Sequence, residues 1–122
     1  MGKIQHFYDL ETWKKGHELV LVIYNLTGKY PKKETFVLVS QMLRCAISIT
    51  SNVAEGFGRR GVKEKKQFYT MAKASLVELQ NQLIISRDVK YVSQNEFDKS
   101  WNLSVEVHKL INALIRGLDR FS

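Results

Sequence analysis

At 122 residues and 44% hydrophobic side chains, the chain is expected to form one domain that buries about two-thirds of its unfolded surface without staples. A single cysteine rules out an internal disulfide, and the longest apolar run, Leu19 to Tyr24, falls far short of the roughly twenty residues that span a bilayer. Nineteen basic against twelve acidic side chains give +7, which favours a polyanionic partner, and the start MGKIQHFYDL carries no signal-peptide core, so a cytoplasmic location is expected.

The first predicted helix runs over about 9–28. Asp9 is placed to cap it, Leu10, Trp13, Val20, Ile23, Tyr24 and Thr27 share one side, and Gly28 with the only proline, Pro31, ends it. Gly16 lies on that apolar side, where a missing side chain admits another backbone. Lys29, Lys32 and Lys33 make the next connection basic, and Thr35 to Val39 is an apolar run too short to assign by its period.

The second helix, about 40–57, is expected to start at a capping Ser40. Leu43, Ala46, Ile47, Thr50, Val53, Ala54 and Phe57 fall in an arc roughly 120° wide, with Gln41, Arg44, Ser48, Asn52, Glu55 and Arg59 opposite. Several of these residues are β-branched, but a helical period kept over about fourteen residues outlasts an ordinary strand. Cys45 reads as a small packing residue.

The third helix, about 63–87, places Phe68, Met71, Ala72, Ser75, Leu79 and Leu83 on one face and leaves Val77, Ile84 and Ile85 outside it. Ser75, Glu78 and Gln82 read as satisfied structural hydrogen-bonding groups. Ser93 and Glu96 form a capping box for the fourth helix, about 94–120, and Val92 with Phe97 forms its hydrophobic staple. Phe97, Trp101, Val105, Ile111 and Ile115 line one face of that helix. Leu103, Val107, Leu110, Leu114 and Leu118 widen its apolar arc to roughly 220°, against the roughly 100° that one seam needs. These residues, with Val77, Ile84 and Ile85, are the predicted self-association surface. Four such helices with short connections predict an all-α, antiparallel up-down four-helix bundle.

The loop GFGRRG satisfies the dinucleotide-binding expression G-x-G-x-x-G, but a helix precedes it where that mechanism needs a strand, so Gly56 or Gly58 reads instead as a left-handed helix end. No Glu-x-x-His pair supports a di-iron centre and no Cys/His cluster supports zinc. No cofactor is expected, and the three scattered histidines assemble no nucleophile and base, so no enzyme is predicted.

Ser48, Ile49, Ser51, Asn52, Ala54, Glu55, Gly56, Gly58 and Arg59 resemble the S-I-P-S-N-I-A-E-G-x-G-R signature of the four-helix-bundle family found in intervening sequences of bacterial 23S ribosomal RNA genes. The resemblance extends upstream through Phe7, Trp13, Tyr30 and Pro31 and downstream through Phe68, Ala72, Leu76 and Leu79. Thr50 stands in place of the signature's proline, Ala74 in place of a usual glycine, and Gly61-Val62 in place of a serine-type cap. The resemblance implies a homopentameric ring of bundles. It also implies kinship with accessory proteins of diversity-generating retroelements, which partner a reverse transcriptase and nucleic acid.

Arg59, Arg60, Lys63, Lys65 and Lys66 against Glu64 give a net +4 at a helix N-terminus, where cations and free N–H groups converge on anions. They are the predicted nucleic-acid-binding residues, with RNA the favoured ligand. Ser48, Asn52 and Glu55, spaced i, i+4, i+7, read as a polar stripe that positions Arg59 or a neighbouring helix. The alternative function is a protein-binding scaffold, or an accessory subunit of a reverse transcriptase, that does not touch nucleic acid.

Overall fold

The computed structural model describes residues 3–121. Its helices are α1 (Glu11–Thr27), α2 (Ser40–Gly58), α3 (Val62–Asp88) and α4 (Gln94–Leu118), and no strand occurs among the described residues. Sequence neighbours pack against one another and α4 closes on α1, so the architecture is an antiparallel up-down four-helix bundle. The α2–α3 interface is the most extensive. Leu19, Ile23, Met42, Ile49, Leu76, Leu79, Leu83 and Ile111 form the fully buried centre, and each such side chain contributes about 1.5–3 kcal/mol.

The helix starts divide by how local their signals are. Ser93 accepts from the Glu96 N–H at 3.1 Å while the Glu96 carboxylate accepts from the Ser93 N–H at 2.9 Å, and Val92 and Phe97 are both buried beside this box. At α1, Asp9 instead accepts the backbone N–H groups of Gln5 and His6 at 3.2 and 3.0 Å. It therefore clamps a 3-10 turn, Phe7–Asp9, upstream of the helix, and Leu10 takes the N-cap position of α1. Ser40 caps nothing either, because Thr35–Val39 forms one turn of π-helix that runs directly into α2. The resulting helical stretch, Lys32–Gly58, is long and apolar enough to cross a bilayer by length and composition, but its Met42, Cys45, Ala46, Ile49 and Val53 side chains pack into the core of the bundle.

The apolar faces are rotated from those read by period. On α2 the buried residues are Met42, Cys45, Ala46, Ile49, Thr50, Val53 and Gly56, while Ile47 is 42% exposed. On α3 they include Tyr69, Ala72, Leu76, Leu79 and Leu83, and Met71 faces outward. Tyr24 of α1 is likewise exposed. Each helix touches two neighbours, so its true face lies between two overlapping arcs, and one period of 3.6 residues cannot locate it.

The excess apolar arc of α4 is largely used inside one bundle. Val107 is fully buried, and Leu103, Leu114 and Ile115 are half-buried against the core, because α4 is gripped by both α1 and α3. Gly16 marks the close approach of α1 to α2: a Cβ there would lie 3.0 Å from Thr50 Cγ2. Thr50 keeps α2 regular where the related signature has proline, and its hydroxyl donates to the Ile47 carbonyl at 3.0 Å.

Candidate nucleic-acid interface

Arg59, Arg60 and Gly61 alone connect α2 to α3. No described glycine has a positive φ, so the break is not a left-handed glycine cap. Arg59 turns to extended backbone at φ −81°, ψ 151°, and its N–H reaches back to the Gly56 carbonyl at 3.2 Å. Gly61, also extended, starts α3 without a side-chain cap. The N–H groups in the first turn of α3 therefore have no intrahelical acceptor, and the positive end of its dipole faces the loop.

Gly56 serves packing rather than chain reversal. It is buried, and a Cβ added to it would meet Tyr69 Cε1 at 2.6 Å and Phe68 Cβ at 3.1 Å. The missing side chain lets α3 lie close against the end of α2 and so fixes where the loop emerges.

The five predicted cations have different roles. Lys65 turns inward, donating to the carbonyls of Phe57 at 2.7 Å and Gly56 at 3.2 Å, and burial pushes its amine below the usual lysine value. It satisfies the carbonyl end of α2, so its amine is engaged within the fold. Arg59 pairs with Glu55 at 2.8 Å and lies over the Phe68 ring at 4.7 Å. Lys66 reaches Asp119 at 3.4 Å. Arg60 and Lys63 are exposed and have no partner among the described residues. Lys63 and Lys66 also line a shallow cavity of about 550 Å³ with Gln67, Thr70 and Met71.

The polar stripe joins two helices and then reaches the loop. Ser48 Oγ meets Ser75 Oγ at 2.9 Å, and the Asn52 amide donates to the Ser48 carbonyl and hydroxyl at 2.9 and 3.0 Å. Glu55 continues the row to Arg59, but those side chains remain 56% and 41% exposed. Glu55→Gln is therefore expected to lower stability by less than about 1 kcal/mol. A urea denaturation midpoint checks this, and a larger loss would show that the pair is coupled to the core.

Elsewhere on α2 and α3, the Cys45 thiol donates to the Glu78 carboxylate at 2.8 Å, and burial pushes it up to about 11. A thiol so protonated is packing, not a nucleophile. Gln82 donates to the same sulfur at 3.5 Å. Among the described residues, no three His, Cys, Asp or Glu side chains are grouped to hold a metal ion.

The predicted association surface is divided. Val77 and Ile85 are exposed, Ile84, Leu103, Leu110, Leu114 and Leu118 are half-buried, and Val107 belongs to the core. The open apolar area lies instead beside the turn before α2. There Val37, Leu38, Ile85, Val89 and Tyr91 line a cavity of about 340 Å³, next to a Phe36 that is 91% exposed.

The N-terminal aromatics escaped the reading of this loop. Phe7 lines a cavity of about 540 Å³ together with Ser51, Ala54, Glu55, Gly58 and Arg59. The run His6-Phe7-Tyr8 was the available signal, but nothing in the sequence places it beside Arg59.

The profile of the 23S rRNA-intervening sequence protein family matches residues 8–113. The fold is similar to the crystal structure of a protein of unknown function from the S23 ribosomal protein family of Bacteroides thetaiotaomicron. The TM-score is 0.80 at 23% identity, covering 86% of this chain and 95% of that one. No curated protein matches.

Proposed function

This chain belongs to the 23S rRNA-intervening sequence protein family, and we propose that it is a non-enzymatic, self-associating bundle that binds RNA through the α2–α3 loop. The observation that carries this reading is the exposed, unpartnered state of Arg60 and Lys63 beside the uncapped start of α3. Two free cations at a positive helix end favour a polyanion. Arg59 and Lys66 extend the patch through partners that are themselves solvent-exposed, so such pairs exchange readily for phosphate. The expected behaviour is RNA binding that weakens as salt rises, on a log-log slope of roughly −0.7 for each phosphate met on a single strand.

Self-association is supported by Val77, Ile85, Val89 and Phe36, large apolar side chains that one bundle leaves in water. In sedimentation, the protein is expected to run above the monomer at micromolar concentration. A stable monomer would remove self-association, and a dimer would remove only the pentameric ring implied by resemblance. A ring would present the loop several times and convert modest affinity per loop into avidity for long RNA. We place the protein in the cytoplasm, with no membrane partner.

The second reading is a protein-binding scaffold, such as an accessory subunit of a reverse transcriptase. Phe36 and the neighbouring apolar cavity favour it. Absence of RNA binding at low salt, with the fold intact, would put this reading first.

A further inference from the structure

The cavity that Phe7 shares with Arg59 has a lining suited to a flat, charged ligand. Phe7 belongs to a turn that is built rather than loose: Asp9 accepts two backbone N–H groups, and the turn packs on both α1 and α2. The ring itself is held edge-on by Trp13 at 5.5 Å and by Tyr8 at 5.4 Å. It nevertheless remains 37% exposed, and Tyr8, stacked on His6, is 49% exposed. Holding a large apolar ring at the edge of an open cavity leaves hydrophobic stabilisation unused until something covers it.

The rest of the lining narrows what that ligand is. Ala54 and Gly58 contribute little or no side chain, which leaves room for a planar group. Ser51 and Glu55 offer hydrogen-bonding groups, and Arg59, paired with Glu55 at 2.8 Å through an exposed contact, supplies a cation. A ligand matching all three features has an aromatic face, an edge carrying N–H donors for Glu55, and an attached anion. Resting on the reading that the loop meets RNA, we propose that Phe7 is a base-stacking platform and that this cavity takes one unpaired nucleotide of a single-stranded RNA. Its base covers Phe7, and its flanking phosphates lie on Arg59 and Arg60.

A paired base has both faces covered by its neighbours and cannot occupy the platform, so the site selects single strands. Charge alone gives the opposite ranking, because a duplex carries the denser phosphate array. The test is fluorescence anisotropy on the full chain, with a short unstructured RNA and the same RNA annealed to its complement. The single strand is expected to bind more tightly. Phe7→Ala is expected to weaken single-strand binding roughly 5- to 160-fold and to leave duplex binding unchanged, whereas Phe7→Trp retains it. Arg60→Ala is expected to weaken both.

If Arg60→Ala acts but Phe7→Ala does not, or if the duplex binds as tightly as the single strand, the platform is overturned while the basic-loop reading stands. If neither RNA binds, both fail. Because Phe7 also touches Trp13, the wild-type protein provides an independent measurement: photocrosslinking to 4-thiouridine RNA is expected within residues 5–9 or 51–59. Crosslinks confined to other segments would overturn the platform.

Discussion

Gly56→Ala is expected to destabilise the fold by about 1–3 kcal/mol, although alanine is the better helix former by about 1 kcal/mol. The two effects oppose each other, and the contact distance decides between them. A Cβ at 2.6 and 2.8 Å from Tyr69 Cε1 and Cδ1 lies closer than side-chain carbons approach, and the Tyr69 ring, 4% exposed between α2 and α3, has nowhere to swing. Relief requires the helices to part at the loop. Gly58, two residues later, is the control, because it ends the same helix, has no positive φ, and a Cβ there meets nothing within 4 Å. Gly58→Ala should therefore be neutral or stabilising by up to about 1 kcal/mol. Chemical denaturation of both variants checks the pair. Equal effects of the same sign would mean that the glycines act through helix propensity alone and that α3 does not lean on α2 at Gly56.

The contrast between these glycines shows how much of the molecule was legible in the sequence. GFG announced a helix end, but only the Tyr69 ring explains why the first glycine admits no side chain, and that ring comes from the next helix. The Ser93–Glu96 box, set within one turn, was readable, whereas Asp9 and Ser40, read by the same local logic, cap neither α1 nor α2. The four-helix order followed from helix length and short connections. Features set by a second element were not readable. Met42 and Ile49 belong to the core because α1 and α3 approach α2 from two directions. Val107 is buried because α4 is gripped on both sides.

The same division runs through the α2–α3 loop. The net charge of the loop was evident, but Lys65 and Lys63 are indistinguishable as letters. Only the position of the Gly56 and Phe57 carbonyls draws one inward and leaves the other in water. Phe7 lies more than forty residues from Arg59 in sequence, and the packing of its turn on α2 brings the two to one cavity. The stripe was read by spacing alone. Its partner Ser75 completes the link to α3.

Replacing Arg60 and Lys63 together with alanine is expected to change RNA binding more than any stability change would, because both side chains stand free of the fold. Each lost single-strand phosphate contact removes about 0.7 from the log-log salt slope, so the pair should flatten it by about 1.4. Over a fourfold rise in salt the wild-type protein should then lose roughly sevenfold more affinity than the variant. Lys65→Met is the internal comparison. Its amine already serves the end of α2, so its loss should affect stability and leave the slope as it was.

The direct measurement is therefore the salt dependence of RNA affinity for the wild-type chain, the Arg60→Ala/Lys63→Ala variant and Lys65→Met, recorded on one single-stranded RNA. A slope flattened by about 1.4 in the double variant and unchanged in Lys65→Met is the result expected of a phosphate-binding loop. A slope identical in all three proteins, or no RNA binding even at low salt, would contradict it.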